Sequence, residues 1–465
     1  MELQRNHQPF ATVAPAINAQ GGHHRVSFWH ETVDIRPGAA LQGEQRAQVA
    51  IVGGGFTGLS IAYYLKRYAP ELDVVLLEQG VVGHGASGRN GGFAMPLVGW
   101  DLLYVVQKLG DAQAHMAYSM MYRAVAHVKT LAQRHAIDCD LETTGYLMIN
   151  TCAAREARAR QEYEAAQRLG FDHAWLDARA LQEHIRSEGF LSGIYDPHPC
   201  ILNPAKFARG MKTVVESMGV RVYEQTPVER LHDGKPIAIT TPEGVVRAEQ
   251  VVMAVNGYGE SLGFKKNRVL PVHTYIVMTE PLSGRELEEI GWGAKRTSLE
   301  TARHFIHYFR LTADNRILFG GEDAQIYAGG ALLDSDAGIQ ESLKERFREY
   351  FPALKHVKFT HGWGGVLGVG LDMFPAYGTG GDHGTIYHAC AYAGHGVSLS
   401  NYAGAIMAPP ILDKAGIALP GDAIDEAKPF FYNREPQWLP GDPLRYWGMQ
   451  AYRGALRLHD WWQGA

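Results

Sequence analysis

Residues 46–92 constrain the fold more than any other stretch. An apolar run, Val49 to Val52, leads straight into Gly53-x-Gly55-x-x-Gly58 and an apolar helix pattern carrying Leu59, Ile61, Ala62 and Leu65. A second apolar run, Val74 to Leu77, ends on Glu78, 20 residues past the last glycine. Short apolar runs without polar alternation read as strands buried on both faces of a parallel sheet. The stretch is therefore a complete βαβ unit. Gly53 permits the tight turn, Gly55 lets the backbone approach a pyrophosphate, and Gly58 lets the helix pack close to the strand. The helix start at Phe56 and Thr57 has free N–H groups and partial positive charge, which attract phosphate. Glu78, followed by Gln79, can accept hydrogen bonds from both ribose hydroxyls and would repel a 2′-phosphate. These features predict a dinucleotide site.

The fingerprint alone does not separate NAD from FAD. The next stretch, Gly83 to Gly92, holds five glycines with Ser87, Arg89 and Asn90, offering many backbone donors for a second approach to a cofactor. With this run the chain resembles the FAD-dependent amine and amino-acid oxidoreductases of the D-amino-acid oxidase superfamily, of glycine oxidase and sarcosine oxidase type. Gly85-Ala86-Ser87-Gly88-Arg89-Asn90-Gly91-Gly92 looks most like the gamma-glutamylputrescine oxidoreductase branch. The resemblance implies that this segment contacts the pyrophosphate and passes beside the isoalloxazine ring.

At 465 residues, 46% apolar and 20% charged, the chain reads as an ordinary globular protein of two or three domains. With 44 basic and 49 acidic residues the net charge is −5. No basic block points to nucleic acid and no apolar stretch to a membrane span; Val49 to Leu65 is interrupted by four glycines. Residues 1–45 lack a signal-peptide core, and the four cysteines lack CxxC spacing. A cytoplasmic setting is expected. No histidine spacing suggests a metal.

Further along, Leu102 to Ala136 reads as one helix, with Met116, Met120 and Met121 as core. Leu141 to Ile149 reads as a strand and Arg155 to Leu169 as a charged, solvated helix. Asn203-Pro204 starts a helix that stops at Gly219. Two short strands between Ile237 and Val246 precede another at Gln250 to Tyr258. Arg303–Phe309 and Arg316–Gly320 read as a hairpin turning at Asp314-Asn315. The resemblance adds that Val228 contacts the adenosine moiety and that Asn256-Gly257 touches the cofactor. It also makes Gly394-His395-Gly396, with Val397, a turn facing the flavin's pyrimidine edge. The implied architecture is mixed α/β: a Rossmann-like FAD domain plus an antiparallel substrate sheet, as in the two-domain glutathione-reductase-like flavoproteins. Its expected division is an arm (1–45), an FAD domain (46–137, 195–260 and 359–412), a roof (138–194 and 261–358) and a packing or assembly tail (413–465).

The implied activity is oxidation of a small primary or secondary amine by hydride transfer to flavin N5, with the imine then hydrolysed to an aldehyde plus amine or ammonia. Such chemistry needs little acid–base apparatus, because the cofactor carries it. The alternative is an amino-acid oxidase or dehydrogenase, in which Arg310 grips a substrate carboxylate bidentately; otherwise Arg310 pairs with Glu322 or Asp323. A flavin hydroxylase and a non-catalytic FAD-binding subunit are further alternatives. Tyr308 and Tyr275 are candidate roof residues, with His273, Trp363 and His361 lining the cavity or belonging to the core. Arg89 serves the flavin loop or the flavin's electronics. His395, held between glycines, supports the turn or moves a proton. Leu318 stands where sarcosine-oxidase-like members carry a lysine, so oxygen or another acceptor could take the electrons. No residue matches the covalent attachment positions, so dissociable FAD is expected.

Overall fold

The computed structural model describes residues 1–5 and 27–463; the portion of the expected arm between them lies outside the described residues. The elements that frame the site begin with α1 (Phe28–Glu31), β1 (Gly43–Val52), α2 (Phe56–Tyr68) and β2 (Val74–Leu77). Next come β3 (Tyr146–Asn150), β4 (Gly244–Met253), β5 (Leu270–Thr279), β6 (Ser298–Thr301), β7 (His307–Leu311) and β8 (Ile317–Gln325). Then follow α3 (Ala337–Tyr350), β9 (Phe359–Val369), β10 (Ile386–Cys390), α4 (Gly396–Lys414) and α5 (Leu444–Trp462).

Among the described residues the first sheet has nine strands. Its centre is parallel, in the order β10–β4–β1–β2, and Val52 stands opposite both Met253 and Leu77. The carboxyl ends of β1, β2 and β4 are thus level, and ligands of open α/β sheets bind beyond such ends. Helices α2 and α4 pack tightly against each other. Ser60 Oγ donates to Asn401 O at 2.7 Å and accepts from Gly404 N–H at 2.9 Å, while a Cβ on Gly404 would stand 2.2 Å from Ser60 O.

The second sheet has eight strands, running β9–β5–β8–β7–β6–β3 and then two more, antiparallel throughout except for β6 with β3. Alternation along its strands separates two faces. Tyr275, Val277, Phe309 and Phe319 join Leu343 and Phe347 of α3 in one core. Ile276, Met278 and Leu318 join Trp29 of α1 and Trp363 in another, with Tyr308 against it.

Several sequence expectations change. The single helix over Leu102 to Ala136 is two, Leu102–Leu109 and Asp111–Arg134, because Gly110 sits at φ +79° and breaks it. Met120 and Met121 are core, whereas Met116 is exposed. β4 is one ten-residue strand, because it pairs with β1 along its whole length. The hairpin turns at Asn315 (φ +64°) as expected, but its first strand is β7, beginning at His307. The helix Ala153–Arg168 is not wholly solvated: Arg155 is buried in an ion pair with Asp460.

Candidate active site

The fingerprint turn forms as its residues dictate. Gly53 has φ +111°, and a Cβ there would stand 2.5 Å from Ala254 O; a Cβ on Gly58 would stand 2.0 Å from Gly53 O. A side chain at Gly53 would strike the chain leaving β4, and one at Gly58 would push the helix off the strand end. Helix α2 then begins at Gly55, which has no side chain to cap it. The cap comes from elsewhere: Phe56 N–H donates to Ser87 Oγ at 2.9 Å. Asn90 folds the same loop, donating to Ala86 O and Ser87 O and accepting from Gly92 N–H at 2.8 Å.

Beyond this turn lies a cleft. Of the sequence-predicted cofactor residues, Gly53, Gly55, Phe56, Thr57, Glu78, Gln79, Gly85, Ala86, Ser87 and Asn90 line one end and side. Val228, Asn256, Gly394, Gly396 and Val397 also line it. Gly58, Arg89, Gly91, Gly92, Gly257 and His395 are not on its wall. Gly257 and Gly92 instead meet the backbone of Leu367 and Leu202. The wall also includes Arg5, Tyr258, Leu367 and Tyr392. Arg5 carried no local signal, since it reaches the cleft only because residues 2–4 pair with the strand Arg230–His232.

Two helices point their N-termini into the cleft. Helix α4 starts beside its wall at Gly396, with His395 as an N-cap that makes no side-chain cap bond. Its free N–H groups and dipole favour negative charge there, as those of α2 do nearby, Thr57 Oγ1 lying 2.8 Å from the hydroxyl of Tyr392. His395 is pushed down to about 4 by burial, and its Nδ1 has no hydrogen-bond partner; it is a neutral imidazole at ordinary pH. Glu78 accepts from Gly54 N–H and Gly80 N–H, both at 2.8 Å. Burial outweighs those two bonds and raises it to about 7. Behind the loop, buried Glu224 accepts from Val82 N–H at 2.7 Å and pairs with Arg209 at 2.5 Å, fixing the chain between Glu78 and Gly83.

Helix α1 straps the loop from outside. Ser27 Oγ donates to Gly88 O at 2.8 Å and Trp29 Nε1 to Asn90 O at 2.9 Å. Arg89 is buried, pairs with Asp334, and donates to His84 O at 2.8 Å and Gly364 O at 3.4 Å. It ties the loop to the second sheet.

The roof candidates separate. Tyr308 faces the loop: its ring lies 5.7 Å from that of Phe93 and 3.1 Å from where a Gly91 Cβ would be. Tyr275 faces the other way, donating to or accepting from Tyr327 at 2.6 Å within the α3 core. The two strands present them on opposite faces: of the two roof candidates Tyr308 lies on the loop side and Tyr275 in the α3 core. Arg310 shares the face of Tyr308, but pairs with neither Glu322 nor Asp323. It donates to Leu202 O at 3.0 Å and Gly92 O at 3.3 Å and lies 5.0 Å over Trp29. Burial lowers it to about 10. His273, also buried, accepts from Leu333 N–H; Trp363 donates to Arg89 O; His361 meets Glu31 near the surface. Leu318 is core.

Sequence reasoning missed two acids. Glu300 on β6 stands directly opposite Tyr308 on β7 and therefore shares its face. It accepts from Tyr146, and burial raises it to about 7. Glu162 lies near the same tyrosine, accepts from Leu102 N–H at 3.3 Å, and is raised by burial and by Asp101. Among the described residues neither forms an ion pair, since Arg158 is taken by Asp101 at 2.7 Å.

These features agree with known proteins. The family profile described as FAD dependent oxidoreductase matches residues 48–409. Gamma-glutamylputrescine oxidoreductase of Escherichia coli is 32% identical over 394 residues, covering 83% of this chain and 88% of the relative. A probable oxidoreductase, OrdL, of Haemophilus influenzae is 30% identical, covering 79% and 83%. The crystal structure of glycine oxidase from Geobacillus kaustophilus superposes with a TM-score of 0.66 at 21% identity, covering 83% of this chain and 99% of that one.

Proposed function

Because the chain belongs to the DAO family of FAD-dependent oxidoreductases, we propose that it oxidises the carbon–nitrogen bond of a small amine rather than of an amino acid. The residues lining the cleft fit FAD. Two helix N-termini, a glycine turn and a buried acceptor acid converge on one elongated cleft. In this reading Glu78 holds the adenosine ribose, the start of α2 with residues 85–90 holds the pyrophosphate, and the start of α4 faces the pyrimidine edge. FAD, when bound, supplies the hydride acceptor. Binding is non-covalent: Cys390 is buried within the first sheet, its thiol directed to Ala376 O at 3.7 Å.

What carries the amine reading is the sign of the charge left over on the roof's inner face. Arg310 spends Nη1 on two carbonyls and lies over an indole, with Nε buried and unpartnered, whereas Glu300 and Glu162 make no ion pair among the described residues, the nearby Arg158 being paired with Asp101. A carboxylate-bearing substrate would meet two acids there, with the one guanidinium on that face already held over Trp29. An amine carrying a second, distal ammonium would supply the missing charge. Tyr308 and Phe93 would bracket the chain between the two nitrogens. The first sheet serves the cofactor and the second the substrate. No helix among the described residues is long and apolar enough to cross a membrane, and the working setting is the cytoplasm. With Leu318 in place of a lysine, an acceptor other than oxygen takes the electrons.

The test is anaerobic titration of the yellow protein with short diamines, monoamines, glycine and sarcosine, following visible absorbance. Bleaching by diamines ahead of the others supports the reading. Bleaching by glycine or sarcosine alone overturns it in favour of the amino-acid alternative.

A further inference from the structure

Helix α5 is amphipathic in the unexpected sense. Its inward face is charged. Arg445 pairs with Glu260 at 2.5 Å and Asp442 at 3.2 Å, Arg453 with Asp323 at 3.1 Å, and Asp460 with Arg155. Gln450 Nε2 donates to Ile326 O at 3.2 Å. Its outward face is apolar: Leu444, Trp447, Leu458, Trp461 and Trp462 are each 64–77% exposed.

The outward residues keep a seven-residue spacing over the whole helix. Leu444, Ala451 and Leu458 take one core position, and Trp447, Gly454 and Trp461 the other. This is the a/d stripe of a coiled coil. It is also self-complementary about its middle. Laid antiparallel on a copy of itself, Leu444 meets Trp461, Trp447 meets Leu458, and Ala451 meets Gly454. The small pair sits at the centre, where two backbones can come close, and bulky pairs sit at both ends. An isologous two-fold contact requires that reciprocity.

We propose that the outward face of α5 is a homodimer interface, two copies pairing their α5 helices antiparallel about Ala451 and Gly454. Its size fits. Three tryptophans and two leucines at this exposure, with Tyr452 at the flank, leave roughly 800 Å² to cover, about one side of a standard interface. A membrane surface fits less well. Lipid-binding helices keep Lys and Arg on their free polar face, and here Arg445 and Arg453 are spent on acids of the protein's own body, leaving only Arg457 half exposed.

Sedimentation of the FAD-loaded full chain across micromolar concentrations tests this. A dimer is expected for the wild type. Trp447→Glu with Trp461→Glu should raise its dissociation constant by roughly a hundredfold or more, as for central aromatic anchors. FAD content and melting temperature should stay normal, since both side chains are solvent-exposed. Ala451→Arg, which changes only the close approach at the centre, should dissociate it as well. A monomeric wild type overturns the proposal, whether or not it floats with phosphatidylglycerol vesicles. So does a dimer that both variants leave intact.

Discussion

The cofactor cleft and the roof's inner face are built from different material. The cleft is mostly backbone: a glycine turn, two helix ends and a folded loop, with Glu78 as its principal acid. The turns and helix ends themselves are set by residues close to them in the chain. The roof face is side chains from strands far apart: Tyr308 from β7, Glu300 from β6, Tyr146 from β3 and Glu162 from a helix. Their meeting depends on strand register. A backbone site tolerates no added volume, whereas a side-chain site tolerates volume but is sensitive to charge. The two should therefore fail in different ways.

The largest effect is expected in the cleft. Gly55→Val would put a branched side chain 2.9 Å or less from Ser87 Oγ, at the start of α2. It would occupy pyrophosphate space and displace the cap on Phe56. Purified variant should contain no FAD by absorbance at the flavin band. Normal FAD content would mean that the cleft is not the cofactor site.

Next comes the link between the two regions. Arg89 is the buried tie from the flavin loop to Asp334 and β9. Arg89→Met breaks the pair with Asp334, whose side chain is 18% exposed, and removes the bonds to His84 O and Gly364 O, a loss of about 1–3 kcal/mol. Calorimetry should show a markedly lower melting temperature even with FAD in excess. An unchanged Tm would make the two sheets independent, and the comparison would sharpen into two separable units.

Within the cleft, Glu78→Ala removes the acceptor at the end of β2. A charge-assisted hydrogen bond contributes about 1.5–3 kcal/mol, so FAD should bind roughly ten- to a hundredfold more weakly. Fluorescence titration of apoprotein reads this directly. Unchanged affinity would reduce Glu78 to a scaffold for Gly54 and Gly80.

How much was legible in the sequence follows the same division. The βαβ unit, the acid at its end and the turn before α4 could be read because each is local, and most of the named residues do line the cleft. The Ser87 cap on α2 could not, since it joins residues 31 apart in the chain through a turn whose path propensity does not determine. Arg310 and Tyr275 were read, with Tyr308, as roof residues from the strands that carry them. The pleat, which sends alternate residues to opposite faces, gave only Arg310 the face of Tyr308, and Leu202 O and Gly92 O then claimed it. Glu162 was hidden in a helix rich enough in charge to look solvated. Glu300 had no signal at all until β6 was paired with β7.

The smallest expected effect concerns that last acid. Glu300 is faced by Tyr146, Tyr308 and Glu162, with Asp101 and Arg158 beyond Glu162. Burial raises it to about 7, so the folded protein without substrate favours its protonated form. The sign is that of a raised acid: folding is unpenalised below the unfolded carboxyl range near 4.5, and stability is lost as pH climbs from there through about 7. A distal ammonium reverses this, because it binds the ionised form. The ratio of kcat/KM for a diamine to that for a monoamine of equal length should therefore rise with pH through about 7. Taking the ratio removes the ionisation of the reacting nitrogen, common to both. In Glu300→Gln the ratio should be roughly tenfold lower above pH 8, about 1.4 kcal/mol, and flat across the range, with FAD content unchanged. A wild-type ratio that does not move between pH 6 and 8 would remove Glu300 from substrate recognition. The roof's inner face would then be a passive cover, and the contrast with the cleft would reduce to packing.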